Sequence, residues 1–296
     1  MTSLRKIKWA LTILLIAGSM TGCGNNAAKD DNQKGNKDKE NYSGTVNAAG
    51  STALQPLAEE AANEIAGKYP DLSVTVQGGG SGTGVNQVAT GSVDIGNSDV
   101  PSAEKIADKS KANGLVDNKV AGIAFAIIVN KDVKVESLTD QQIKGIFSGK
   151  ISNWSEVGGT SLKINVINRP AASGTRATFE KTIMKGTAIN DSIGTAQDSN
   201  GAVEKAVNTT PGSISYLAMS YLVGEKKDSL KTLKINGVEA TTDNVANKKY
   251  PFWSYEYMIT KGNPQKGIKG YIDFVRSDDF ADKVTSMGYI PMSKLK

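Results

Sequence analysis

Three stretches of this 296-residue chain follow one plan: an apolar strand, a loop of small residues, then a helix. The loops are Gly50-Ser51-Thr52, Gly80-Ser81-Gly82-Thr83-Gly84 and Ser173-Gly174-Thr175. Strands that alternate with helices argue for an α/β fold with mostly parallel sheets. In such sheets ligands bind beyond the carboxyl ends of the strands. A helix start there offers unpaired N–H groups and the positive end of a dipole. Small residues let a ligand approach the backbone, and Ser and Thr hydroxyls add donors that rotate to suit an oxygen. Three such loops meeting at one point would cage an anion. Each loop alone is also ordinary capping and turn chemistry. The Gly-rich stretch is not a P-loop, because no Lys-Ser/Thr pair follows at the required spacing.

Further strands and helices fill in this frame. Thr45–Ala48 starts the first strand, and Leu54, Leu57, Ala58, Ala61 and Ile65 share one helix face. Pro56 is tolerated in the first turn, and Leu72, Val74 and Val76 alternate as a strand. A short helix ends at Gly91, and Val93–Gly96 is a strand leading to Asn97-Ser98-Asp99. Ala121–Val129 is a buried strand by its continuous apolar character. Thr139 and Gln142 form a capping box for a helix carrying Ile143, Ile146 and Phe147. Leu162–Ile167 reads as a strand, and helices are expected at Thr175–Lys185, Ala202–Asn208, Ser215–Leu222 and Pro264–Arg276.

The first residues read as targeting rather than fold. Arg5, Lys6 and Lys8 precede the apolar run Trp9–Ala17, which is too short to span a bilayer as a mature helix. Cys23, the single cysteine, follows directly, so an internal disulfide is excluded. The segment resembles a bacterial lipoprotein signal in which residues 1–22 are removed and Cys23 is lipidated. Met20 stands where leucine is usual, and an ordinary secretory signal is the alternative. Gly24–Gly44 holds four lysines and four acids with little apolar before Tyr42, the composition of a flexible tether. Residues 1–22 carry three of the positive charges and no acid, so the net +5 falls to +2 without them. Neither the charge nor the 6% aromatic content suggests a nucleic-acid binder.

From about Val46 to Lys296 the chain resembles the phosphate-binding proteins of ABC-type phosphate importers. The matching motifs are Ala49-Gly50-Ser51-Thr52 with Leu54-Gln55-Pro56-Leu57, Gly79–Gly84, and Val93-Asp94-Ile95-Gly96-Asn97-Ser98-Asp99. Ile146–Lys150 with Asn153-Trp154, Arg169 with Ser173–Arg176, and Pro211–Tyr216 complete the set. The resemblance implies a two-domain periplasmic-binding-protein fold of type II, with two interdomain crossovers and a ligand cleft between the domains. The expected boundaries are 1–22 signal, 23–44 lipidated cysteine and tether, 45–125 plus 255–296 for domain 1, and 126–254 for domain 2. Carried over by motif, phosphate contacts fall on Thr52, Ser81, Asp99, Arg169, Ser173, Gly174 and Thr175, with Ser51 and Ala53 adjacent. The implied partners are inorganic phosphate and the permease and ATPase subunits of an importer. A monomer is expected, held at the extracellular face by the Cys23 lipid alone, in a host without an outer membrane. No cofactor or metal is expected.

The residue chemistry agrees with these roles. Arg169 can grip two oxygens with its planar fork. Asp99 in an anion site makes sense when the ligand carries a proton: phosphate near neutral pH has a P–OH to donate, whereas sulfate has none. A buried unmatched polar group costs about 1–3 kcal/mol, more when charged. Between Arg169 and Ser173 some family members carry an acidic residue, and this chain has Ala171 there. A phosphatase-like hydrolase with Ser51, Ser81 or Ser173 as nucleophile is the competing class. It lacks support, since the chain has no histidine and no Gly-x-Ser-x-Gly elbow. Binding of sulfate, molybdate or an organic phosphate stays open at this point.

Overall fold

Leu57, Ala58, Ala61 and Ile65, the stripe expected on one helix face, are all completely buried. Removing each larger apolar side chain from water contributes about 1.5–3 kcal/mol. The stripe seats the first helix on the strand that follows it and on a helix from the far end of the chain. The computed structural model describes residues 42–226 and 228–295. The signal segment, Cys23 and most of the expected tether lie outside the described residues. Tyr42–Gly44, expected as the end of the tether, belong to the fold instead. The Tyr42 ring meets Tyr69 edge-on at 5.1 Å, and Gly44 opens the first strand.

The first part of the chain runs β1 (Gly44–Ser51), α1 (Gln55–Lys68), β2 (Leu72–Gly79), α2 (Ser81–Thr90), β3 (Ile95–Ser98) and α3 (Ser102–Lys105). A long strand, β4 (Leu115–Val129), leads to β5 (Ser137–Leu138), α4 (Asp140–Phe147), β6 (Asn165–Asn168), α5 (Gly174–Phe179) and β7 (Thr195–Ala196). Next come α6 (Asn200–Thr209), β8 (Ser213–Ala218), β9 (Lys231–Ile235) and α7 (Thr242–Ala246). The chain closes with β10 (Trp253–Lys261), α8 (Lys266–Arg276), α9 (Asp278–Ser286) and β11 (Tyr289–Pro291). Among the described residues, no helix is long and apolar enough to cross a membrane.

The strands form a curled sheet in the order β2-β1-β3-β10-β4-β8-β6-β7, so the fold is mixed α/β. The long β4 joins its two parts. Residues 115–124 of β4 pair with β10, and Phe125–Val129 pair with β8 and β9. The chain passes the same point a second time at Phe252, whose carbonyl accepts from the Phe125 N–H at 2.9 Å. The sheet is mixed rather than mostly parallel. β1 runs parallel to β2 and β3, and β6 runs parallel to β8, but β10 and β4 run antiparallel to their neighbours. Alternation of strands and helices sets strand direction only where a helix lies between paired strands, and β4 and β10 pair across long stretches of sequence.

Most expected elements form near their expected positions. The capping box is present: the Gln142 N–H donates to Thr139 Oγ1 at 3.2 Å, and the Thr139 N–H donates to Gln142 Oε1 at 2.8 Å. The helix expected at Ser215–Leu222 is a correction. Ser213–Ala218 is the strand β8, with every residue buried, and only a 3-10 turn follows at Met219–Tyr221. A short apolar run buried on both faces carries no periodicity that tells strand from helix.

Candidate functional site

Each predicted loop sits where a strand ends. Ser51 is the last residue of β1, and Thr52-Ala53-Leu54 turn into α1. Ser81 opens α2, and Asp99 follows β3 directly. Arg169 follows β6, Ser173 caps α5, and Gly174 and Thr175 form its first turn. Among these residues the side chains of Ser51, Thr52, Ser81, Asp99, Arg169, Ser173 and Thr175 are all buried. Burial of so many polar groups together is unusual unless each has a partner.

Four of them bond one another. The Ser51 hydroxyl donates to Asp99 Oδ1, and the Thr175 hydroxyl donates to Asp99 Oδ2 at 2.8 Å. The Asp99 N–H donates to Ser81 Oγ at 3.0 Å, and the Ala53 N–H donates to Ser51 Oγ at 3.0 Å. The three loops expected to converge therefore meet on Asp99. Gly174 explains how they come so close. A Cβ on Gly174 would collide with Ser81 Oγ and lie 2.9 Å from the Asp99 Cβ, so only glycine fits between the two loops.

Electrostatics sharpen the cluster. Burial pushes the Asp99 carboxyl above its ordinary value, opposed by the Ser51 and Thr175 hydroxyls and the Arg169 charge. Burial pushes the Arg169 guanidinium below its ordinary value. Arg169 is 2% exposed and spends two donors on backbone carbonyls: Nε on Gln197 O at 2.9 Å and Nη2 on Asp198 O at 3.1 Å. Its Nη1 has no partner among the described residues. The carbonyls of 197 and 198 orient the fork. They hold the guanidinium without neutralising it.

The other predicted residues take supporting places. Thr52 Oγ1 accepts from the Asn200 N–H at 3.2 Å and from Asn200 Nδ2 at 3.0 Å, and its carbonyl accepts from the Tyr221 hydroxyl at 3.0 Å. Ser173 Oγ accepts from the Arg176 N–H at 3.2 Å. A cleft of about 490 Å³ opens directly outside, lined by Thr52, Gly80, Thr83, Ala172, Ser173 and Ser199 among others. The site's groups accept and donate hydrogen bonds and carry one guanidinium. Of the site serines, Ser51 bonds the Asp99 carboxylate, and the chain has no histidine to serve as a base.

Sequence reasoning missed three contributors. Asn200 starts a fourth small-residue helix end, with Ser199 capping α6 by accepting from the Ala202 N–H at 3.1 Å. The Ser-Asn pair ahead of an apolar-periodic helix was a readable signal. Arg176 braces the loop, donating from Nη1 to the Arg169 carbonyl at 2.7 Å. Glu256 of β10 is completely buried close to Asp99, and nothing in its local sequence marks it.

Comparison with known proteins places this geometry. Residues 35–279 match the family model of the PBP superfamily domain. The chain is 41% identical to the phosphate-binding protein PstS of Bacillus subtilis (strain 168), over 99% of this chain and 97% of that protein. It is 25% identical to the phosphate-binding protein PstS of Borreliella burgdorferi, over 94% and 97% of the two chains. Among solved structures it is similar to a phosphate ABC transporter substrate-binding protein from Clostridium perfringens, crystallised with bound phosphate. That match has 31% identity and a TM-score of 0.77, covering 84% of this chain and 99% of the other. The chain belongs to the PBP superfamily and, within it, to the family of the PstS phosphate-binding proteins.

Proposed function

We propose that this protein captures inorganic phosphate outside the cell membrane and hands it to an ABC importer. The observation that carries this reading is a buried carboxylate, Asp99, set among hydroxyl donors and beside a guanidinium with an unspent N–H. Phosphate supplies what each group lacks. Its P–OH donates to Asp99, its other oxygens accept from Arg169 Nη1, and the Ser51 and Thr175 hydroxyls rotate from Asp99 onto it. Ser81, Ser173, Gly174 and the backbone of Thr52 and Ala53 complete the wall. Such charge-assisted bonds are roughly twice as strong as neutral ones.

In this reading residues 45–125 with 255–296 form one lobe and 126–254 the other, with crossovers where β4 and the start of β10 pass between them. Ser51, Ser81 and Asp99 then belong to one lobe, and Arg169, Ser173 and Thr175 to the other. The Thr175–Asp99 hydrogen bond joins the two, so the ligand and the closing motion act on the same contacts. Lipidation at Cys23 would keep the protein beside the permease and ATPase that receive its cargo, as a monomer at the outer face.

Calorimetry on the full chain with phosphate, sulfate and molybdate tests the proposal. Phosphate should bind, and the other two should bind far more weakly. Equal binding of sulfate would remove the role given to Asp99. Release of phosphate from a monoester by the purified protein would favour a hydrolase instead.

A further inference from the structure

Glu256 is the most anomalous buried group in the described residues. It is completely inaccessible, and neither carboxyl oxygen receives a hydrogen bond from any donor. It lies on β10, whose next residue, Tyr257, pairs with Ser98 of β3, so Glu256 comes level with Asp99. A β-bulge falls between Glu256 and Tyr257 where β10 pairs with β4, and bulges re-aim side chains. The Asp99 carboxyl is close enough to interact with it. Two acceptors cannot bond each other unless one of them carries a proton, and two carboxylates at this range cannot both ionise in a buried site.

We propose that Glu256 is a positioning residue that shares a proton with Asp99, so that the pair shows the phosphate a single negative charge. This rests on the phosphate reading above. Glu256 holds the proton and donates it to Asp99. Asp99, already accepting from Ser51 and Thr175, stays the anionic acceptor that a P–OH needs. A second negative charge here would repel the ligand.

The surroundings favour this assignment of the proton. Burial, and then the Asp99 charge, push Glu256 well above the ordinary carboxylate range. The cations around β10 are engaged elsewhere or act on Asp99. α2 has no titratable residue. β11 contributes Tyr289, whose hydroxyl donates to the Ala53 carbonyl. On β4, the Lys119 ammonium lies 3.8 Å over the Tyr255 ring, and Asp117 accepts from the Ser102 N–H. Tyr257 lies next along the strand, Glu104 of α3 accepts from Lys181 at 2.8 Å, and Lys105 of α3 donates to the Ala171 carbonyl at 2.6 Å while its charge acts on Asp99. Arg169 acts on the pair through Asp99.

The test compares the full-length wild type with Glu256→Gln and Glu256→Leu. Glutamine mimics the protonated acid and can donate to Asp99, whereas leucine cannot. The sign follows from linkage: a carboxyl whose folded value is raised gives stability that is complete below its unfolded value and lost as pH rises towards the folded one. From mildly acidic to mildly alkaline pH, the wild type should therefore lose stability relative to Glu256→Gln, by about tenfold in the unfolding constant per pH unit. A constant difference would mean that Glu256 is ionised in the folded protein, and would overturn the proposal. If the variants do not fold, infrared spectroscopy of the wild type decides: the band of a neutral carboxylic acid should persist at mildly alkaline pH, and its absence overturns the proposal. These two arms need no ligand, so they can fail while phosphate binding stands. In the ligand arm, Glu256→Gln should keep phosphate affinity within about threefold and Glu256→Leu should lose about tenfold, consistent with one hydrogen bond. Equal affinity for the two variants would remove the positioning role. The wild-type-to-Gln affinity ratio across pH cancels phosphate's own titration and should fall at alkaline pH.

Discussion

Arg169 and Arg176 lie seven residues apart, on either side of one loop, and are treated in opposite ways. Every nitrogen of the Arg176 guanidinium has a partner. It holds Asp191 with two bonds of 2.7 and 2.8 Å, Glu180 with one of 2.8 Å, and the Arg169 carbonyl with another. Those acids raise its guanidinium above the ordinary value. Arg169 donates only to neutral carbonyls, keeps its Nη1 without a partner among the described residues and is pushed down by burial. The comparison separates an arginine that closes its own circuit from one whose charge is left for something else. Holding Arg169 by carbonyl dipoles fixes its direction without cancelling its field, which is the condition for binding an anion tightly.

The comparison can be broken by substitution. Arg169→Met keeps most of the apolar bulk and should weaken phosphate binding by about 2–5 kcal/mol, read by calorimetry. Its melting temperature should not fall in proportion, because a buried unneutralised charge is removed with the bonds. Gly174→Ala should cost about 1–3 kcal/mol of stability in denaturant titrations, since the added methyl drives Ser81 from Asp99. Arg176→Met should reverse the Arg169 pattern. It leaves the buried Arg169 carbonyl without its donor, so about 1–3 kcal/mol of stability should go while phosphate affinity changes less. Equal loss of affinity in both arginine variants would erase the distinction.

The smallest effect concerns pH. The Asp191 carboxyl is held below its ordinary value, chiefly by its bonds to Arg176. A depressed carboxyl gives stability that is present above its unfolded value and lost as pH falls through the folded one. Asp191 is mostly exposed, so the contribution should be only about 0.2–1 kcal/mol. Acid melting curves of Asp191→Asn and wild type should therefore converge below the ordinary carboxylate range and separate slightly above it.

Much of the site was legible because its signals are local. The strand-to-loop-to-helix plan announced Ser51, Ser81 and Ser173, and the strand end announced Asp99. Ser51, Ser81 and the neighbouring Thr175 all bond Asp99, whereas Ser173 caps its own helix. What escaped has no local mark. The carbonyls of Gln197 and Asp198 that aim Arg169 are backbone groups, which every residue carries. Glu256 stands in Tyr255-Glu256-Tyr257, a pattern that a half-exposed strand would show equally well. Its partner is far away in sequence, and only the β3–β10 register brings the two together. The strand β8 escaped for another reason: buried on both faces, it has no alternation to read.

The account turns on Asp99 reading the proton of its ligand. The most direct measurement is the ratio of sulfate to phosphate dissociation constants for wild type and Asp99→Asn, taken by calorimetry in one buffer. In the wild type the ratio should be large, and in Asp99→Asn it should collapse as sulfate gains an N–H donor and phosphate loses its acceptor. An unchanged ratio would contradict the account, because selectivity would then come from elsewhere in the site.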